Sequence, residues 1–146
     1  PQFRLRLNNS PGEYHFANGL VCKAWGATII GPTTAPVRAI CHGPVYLCGM
    51  GFMPGGWATL MGPEADKFTD RALPAHELFG DWIYEVAKAI ANADCDMARL
   101  GMLQKLAREM MRRGDPAPLW FTRTVDQWLM ANLSPQIEDL VAATGM

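Results

Sequence analysis

Three histidines, His15, His42 and His76, and four cysteines, Cys22, Cys41, Cys48 and Cys95, are the residues best suited to hold a metal or to act as nucleophile and base. Their spacing argues against both roles. A metal centre in a small β domain needs an H-x-H pair with a downstream carboxylate, so that several donors converge on one ion. Neither that pair nor a C-x-x-C occurs. Each imidazole therefore reads as a core or surface histidine with ordinary hydrogen-bond partners. Each cysteine lies in an apolar run and reads as a small buried hydrophobe of a reduced protein. Cys41 and His42 are adjacent, and adjacent strand residues point to opposite faces, so they cannot share a proton. Glu77 and Asp81 flank Gly80, which predicts a helix break and two solvated carboxylates. Pro54-Gly55-Gly56-Trp57 lacks the downstream Lys-Ser/Thr of a phosphate loop and reads as a tight strand-to-helix turn. Asp70-Arg71 reads as an ion pair that fixes a loop to the β domain. No catalytic residue, metal or cofactor is expected. What remains is a small-molecule pocket, concave and apolar with a few polar groups. Trp25, His42, Tyr46, Phe52 and Arg71 are the residues expected to line it, with Tyr46 and Phe52 on a shared strand face.

The elements that must position these residues follow from periodicity. Residues 3 to 53 predict short strands at 3–7, 14–16, 20–24, 27–30, 37–42 and 45–53, punctuated by Asn-Ser-Pro-Gly, Asn-Gly and Gly-Pro. Run 45–53 has apolar residues on both faces, which predicts a central strand or one lining a cavity. From Gly55 onward the period becomes helical. Phe79, Ile83, Val86, Ala87 and Ile90 form one stripe, and Asp94 reads as an N-cap. Leu100, Leu103, Ala107 and Met110 form the next, ending at Gly114 with Arg108, Arg112 and Arg113 near the negative helix end. Gly114-Asp-Pro-Ala-Pro118 cannot continue a helix and reads as a linker. Val125, Trp128, Leu129 and Leu133 then mark a third helix, and Ser134-Pro135 starts a fourth. The fold class expected is α+β: a cupin-like β half-barrel or sandwich followed by a helical segment, with domains at 1–113 and 114–146.

Composition bounds the function. The 146 residues are 49% hydrophobic, and 13 basic against 14 acidic residues give a net charge of −1. No overall basic footprint for nucleic acid is present. No leader pattern opens the chain and no run approaches the ~18 apolar residues of a membrane span, so a cytoplasmic protein without membrane contact is expected. Pro1 in place of Met, followed at once by strand-like alternation, predicts a start inside a larger protein.

Two stretches resemble the AraC family of bacterial transcription regulators. The first is Gly49-Met-Gly-Phe-Met-Pro54-Gly55-Gly56, then Leu60-Met-Gly62-Pro-Glu-Ala65, Thr69-Asp70-Arg71 and Leu78-Phe-Gly80. Order and spacing are similar to that family's strand, PGG turn, short helix, DR and LWG series, with Phe79 where tryptophan is commoner. The second, Ser134-Pro-Gln-Ile137-Glu-Asp-Leu140-Val-Ala-Ala-Thr-Gly145-Met146, resembles the first helix and turn glycine of its helix-turn-helix, with Val141 bulkier than the usual alanine. The resemblance covers roughly half the chain. It implies an effector-sensing cupin-like domain, not an enzyme, whose partners are an unknown small molecule, a possible second copy of itself, and DNA through a carboxy-terminal domain that is missing here. No residue of this chain is then expected to read bases, because the recognition helix that enters the major groove lies beyond it. Residues 112–146 hold three arginines against four acidic residues, in keeping with that. The alternatives are a cupin-like enzyme or carrier, and an interaction module whose face is built from Met97, Met102, Met110 and Met111.

Overall fold

The structure, a computed structural model, describes residues 1–8, 10–134 and 136–145, and the backbone alone of Pro63. Seven strands and six α-helices are present among the described residues: β1 Gln2–Arg6, β2 Gly12–His15, β3 Val21–Lys23, β4 Ala27–Ile30, β5 Arg38–Cys41, β6 Leu47–Gly51, α1 Pro54–Met61, β7 Ala72–Pro74, α2 Ala75–Phe79, α3 Trp82–Ala91, α4 Asp96–Arg113, α5 Leu119–Ala131 and α6 Ile137–Thr144. A 3-10 segment, Gly62–Phe68, follows α1. The class is α+β, as the change of period near residue 55 predicts.

The strands form two antiparallel sheets, β6-β1-β4-β7 and β3-β2-β5. In β1, strict alternation puts Phe3 and Leu5 on one face, where they join the helices in the main core with Ile29, Trp57, Ile83, Ile90, Leu103, Leu106 and Met110. β4 is buried on both faces: Ala27 and Ile29 face the helices, while Ile30 joins Tyr14, Phe16, Cys22, Ala24 and Ala72 in a second cluster between the sheets. The body is therefore layered, with the first sheet between the second sheet and the helices. Burying apolar surface on both sides of β4 is what holds the layers together.

Several elements depart from expectation. Run 45–53 is not a central strand: β6 is the edge of its sheet, paired with β1 from Gln2–Gly51 to Arg6–Leu47. Cys48 and Met50 are half-buried toward the core while Leu47, Gly49 and Gly51 are exposed, and the strand borders an open hollow of about 460 Å³ beside Gln2 and Arg4. Pro54-Gly55-Gly56 is no turn but the opening of α1, with Pro54 at its start, where a missing N–H costs nothing. A Cβ on Gly55 would come 2.9 Å from Leu119 Cδ1 and 3.1 Å from Thr122 Oγ1, so the glycine marks where α5 crosses α1. β7 was not expected; three residues ending in proline leave no periodicity to read. The stripe at 79–90 is divided between α2 and α3 at Gly80, φ 80°, where the glycine predicts a break. Cys95, not Asp94, occupies the N-cap of α4, without a side-chain cap bond. Of the cysteines only Cys22 is buried; Cys41 and Cys95 are exposed and Cys48 is intermediate. The Asn9-Ser10-Pro11-Gly12 punctuation and the Ser134-Pro135 helix start fall partly on Asn9 and Pro135, outside the described residues. The structure gives Gln136 as the N-cap of α6.

The linker 114–118 lies where proline placement predicts, yet it is docked. Asp115 N–H donates to Thr59 O at 2.8 Å, and α5 runs back across α1. No helix among the described residues is long and apolar enough to cross a membrane.

Candidate functional site

The two sheets part at one end to leave a cavity of about 230 Å³, lined chiefly by Gln2, Arg4, Tyr14, Ile30, Val37 and Ala39. Local sequence dictates its chemistry. Because Phe3 and Leu5 take the helix-side face of β1, the residues between and beside them, Gln2, Arg4 and Arg6, must face the second sheet. Opposite them β2 presents Tyr14, buried, and Gly12. The Arg4 guanidinium lies 5.5 Å from the centre of the Tyr14 ring and donates from Nε to Gln2 Oε1 at 2.8 Å. Ile30 and the half-buried Val37 supply apolar wall. The cavity can thus hold an apolar body and offer a cation to one end of it.

The five residues expected to line a pocket are not gathered there. Trp25 sits between β3 and β4, partly buried against the inter-sheet cluster. His42 is exposed beyond β5, its amide bonded to Pro11 O at 3.0 Å. Arg71 is exposed, and its carbonyl accepts from Gly31 N–H. Phe52 packs 6.2 Å from the Trp57 ring at the main core. Tyr46, 45% exposed, is committed to the start of α4. Its hydroxyl donates to Asp96 Oδ1 at 2.5 Å, Arg99 Nη1 bonds both groups at 2.8 and 3.2 Å, and Arg99 Nη2 reaches Ala93 O at 2.7 Å. This clasp joins the approach to β6 with α4. Asp96, accepting from Tyr46 and then Arg99, is held below the usual carboxylate range, and the Tyr46 hydroxyl is pushed up by the same bond. Burial raises the neighbouring Cys48 thiol, which keeps it a thiol.

Asp70 does pin a loop, though not through Arg71. Its carboxylate accepts from Thr34 N–H at 2.8 Å and from the Thr34 hydroxyl, bonds that lower its pKa. Its φ of 52° is unusual for a residue with a Cβ. The four methionines of the suggested interaction face are divided: Met110 is in the core, while Met97 and Met102 are exposed. An apolar groove of about 540 Å³ does run between α3 and α4, past Val86, Met102 and Leu106. Among the described residues no three His, Cys, Asp or Glu are grouped to hold a metal ion.

Reasoning from sequence missed Arg4 and Tyr14 in the lining, and Arg6 beside them. The signal was present in Phe3-Arg4-Leu5-Arg6-Leu7: an alternating strand with an apolar face puts both arginines on the other face, whatever that face meets. Compared with protein-family models, with curated proteins and with solved structures, the chain matches none.

Proposed function

We propose that the chain is the effector-sensing part of an AraC-type transcription regulator. In this reading a cupin-like α+β body takes a small molecule into the inter-sheet cavity, and α5 joins it to α6, the first helix of a helix-turn-helix unit. The observation that carries the reading is the bareness of α6. Ile137, Leu140 and Val141 fall at the spacing of one helix face, yet no residue of α6 is buried and Ile137 is 75% exposed. The helix ends at Gly145 in the left-handed conformation, φ 72°, which turns the chain sharply. A short helix with an apolar stripe in water and a turn at its end is suited to packing on a second helix. The carboxy-terminal part of α5 has the same character, with Met130 89% exposed.

The layered body supplies a route for coupling. The cavity borders the first sheet, that sheet packs on α1, and α1 holds α5 at Gly55 and the linker at Thr59. A ligand that favours one spacing of the sheets shifts the placement of α5 and α6 in proportion to its differential affinity.

The test is to read the gene past Met146 and to produce the polypeptide with whatever it encodes there. Binding to a labelled duplex from the gene's own promoter is followed by fluorescence anisotropy at several salt concentrations. The extended polypeptide is expected to bind with affinity that falls as salt rises, and residues 1–146 alone are expected not to bind. A stop codon directly after Met146, or no DNA binding by the extended polypeptide, overturns the reading.

A further inference from the structure

Arg4 and Arg6 face the second sheet without a carboxylate to meet them. Among the described residues neither takes part in an ion pair, and Glu13 and Asp70 are engaged with His15 and Thr34 instead. Arg6 is half-buried, and among the described residues its buried Nε and Nη2 have no hydrogen-bond partner. Among the described residues Arg4 makes one side-chain bond, from Nε to Gln2, and Arg4 lines the cavity. A guanidinium cannot shed its proton to escape burial, and an unpaired buried charge is strongly unfavourable. Room has nonetheless been made for one. A Cβ at Gly12 would stand 2.6 Å from Arg6 Nη1 and 2.8 Å from Ile40 O, so β2 is stripped of a side chain where the guanidinium lodges. Two like charges about 7 Å apart along one strand face also repel each other. Arg4 lines the cavity and Arg6 lies outside its lining, so an anion there pairs with Arg4 directly and eases the repulsion between the two.

The walls restrict what else that anion carries. Its surroundings are the Tyr14 ring, Ile30, Val37 and Ala39, and the cavity of about 230 Å³ is below the roughly 300–1,000 Å³ of sites for drug-sized ligands. We propose that the inter-sheet cleft binds a small organic acid with an apolar body. Its carboxylate lies on the Arg4 guanidinium, and Arg6, next on the same strand face but outside the cavity lining, adds its charge at longer range. As the identity of an effector this rests on the sensing role above. Gln2 holds Arg4 by accepting from Nε, which leaves the outer pair of guanidinium nitrogens for two-point contact with a carboxylate.

The experiment uses the 146-residue chain with three probes: benzoate, its neutral analogue benzamide, and inorganic phosphate. Affinity is measured by calorimetry and stabilisation by thermal melting. Benzoate is expected to bind and to raise the melting temperature, as a ligand of the folded state must, while benzamide does neither. Arg4→Met is expected to weaken benzoate by roughly tenfold or more, the loss typical of a charge-assisted bond. Arg6→Met is expected to weaken it by less than Arg4→Met does, without lowering the melting temperature of the free protein, because a half-buried cation with unbonded nitrogens has been replaced by an apolar chain. Val37→Asp, which puts a carboxylate on the opposite wall, is expected to abolish benzoate binding and keeps the test open should Arg4→Met fail to fold. Equal binding of benzamide, full benzoate affinity in Arg4→Met, binding of phosphate alone, or no binding of any probe overturns the proposal. The two readings fail separately. DNA binding by the extended polypeptide with benzoate ignored removes the organic acid and keeps the regulator; benzoate binding without DNA binding does the reverse.

Discussion

Gly114 and Gly101 allow one substitution to be tried in two settings with opposite expected signs. Gly114 closes α4, and its backbone conformation, φ −77° and ψ 170°, is open to any residue, so alanine there suffers no intrinsic strain. Space is the obstacle. An added Cβ would stand 2.5 Å from Thr59 O and 2.9 Å from Thr59 Cγ2, and Thr59 is buried inside α1 with its hydroxyl bonded to Gly55 O. To reach ordinary contact the linker must retreat by about 0.9 Å, which stretches the 2.8 Å bond from Asp115 N–H to Thr59 O past useful range. Overpacking costs about 1–3 kcal/mol and the lost bond about 1, against about 0.4–1 regained because alanine restricts the unfolded chain. The net expectation for Gly114→Ala is a loss of about 2 kcal/mol, or roughly 5–8 °C in melting temperature for a chain of this size. Gly101 lies in the middle of α4 with nothing within 4 Å of its absent Cβ. Gly101→Ala is expected to add about 0.5–1 kcal/mol. Urea and thermal unfolding of the three proteins decide the matter. If Gly114→Ala is as stable as the parent, the linker is not held against α1, and the coupling route from the body to α6 is broken at that point.

In the core, Phe3→Ala removes a fully buried ring from between β1 and the helices and is expected to cost about 3–5 kcal/mol in urea unfolding. Glu109 accepts from Arg112 and Arg113 at 2.7–2.8 Å, and its pKa is lowered to about 2. Its contribution to stability is therefore complete above the ordinary value of 4.5 and lost as pH falls toward about 2. A carboxyl-carbon NMR titration is expected to show Glu109 as a late acid inflection, and a midpoint near the ordinary value refutes the fork. Spectrophotometric titration of the three tyrosines is expected to show one ionising above its usual range, because Asp96 holds the Tyr46 proton. Tyr46→Phe is expected to delete that component and to lower the melting temperature; loss of a normally titrating tyrosine instead refutes the clasp.

Patterns with a short range were legible in the sequence. Alternation in Phe3–Leu7 and the short run Ala27–Ile30 located β1 and β4, and the three-and-four spacing of Leu103, Ala107 and Met110 with Gly114 beyond located α4 and its end. Proline and glycine chemistry placed the linker at 114–118, and Gly80 separated α2 from α3. Each of these depends on forces acting within a turn or two of chain. The assembly of strands was a different matter. Whether 45–53 was an edge or a centre depended on what lay beside it, and β7, the neighbour of β4 at the other edge, was too short to announce itself. Gly55 and Gly12 looked like turn residues because a glycine's sequence context shows only its torsional freedom; their use here is to admit α5 and the Arg6 guanidinium at close range.

Residue type alone also misplaced the candidate site. Trp25, His42, Tyr46, Phe52 and Arg71 have pocket-like chemistry, but lining a cavity requires their side chains to converge, and they are spread from the inter-sheet cluster to the start of α4. Arg4 and Arg6 had the more telling position, two charges on the inner face of a strand. Local sequence determined that they share a face. Only the stacking of one sheet on another decided that this face is enclosed, because burial is a property of what packs across a strand and not of the strand itself.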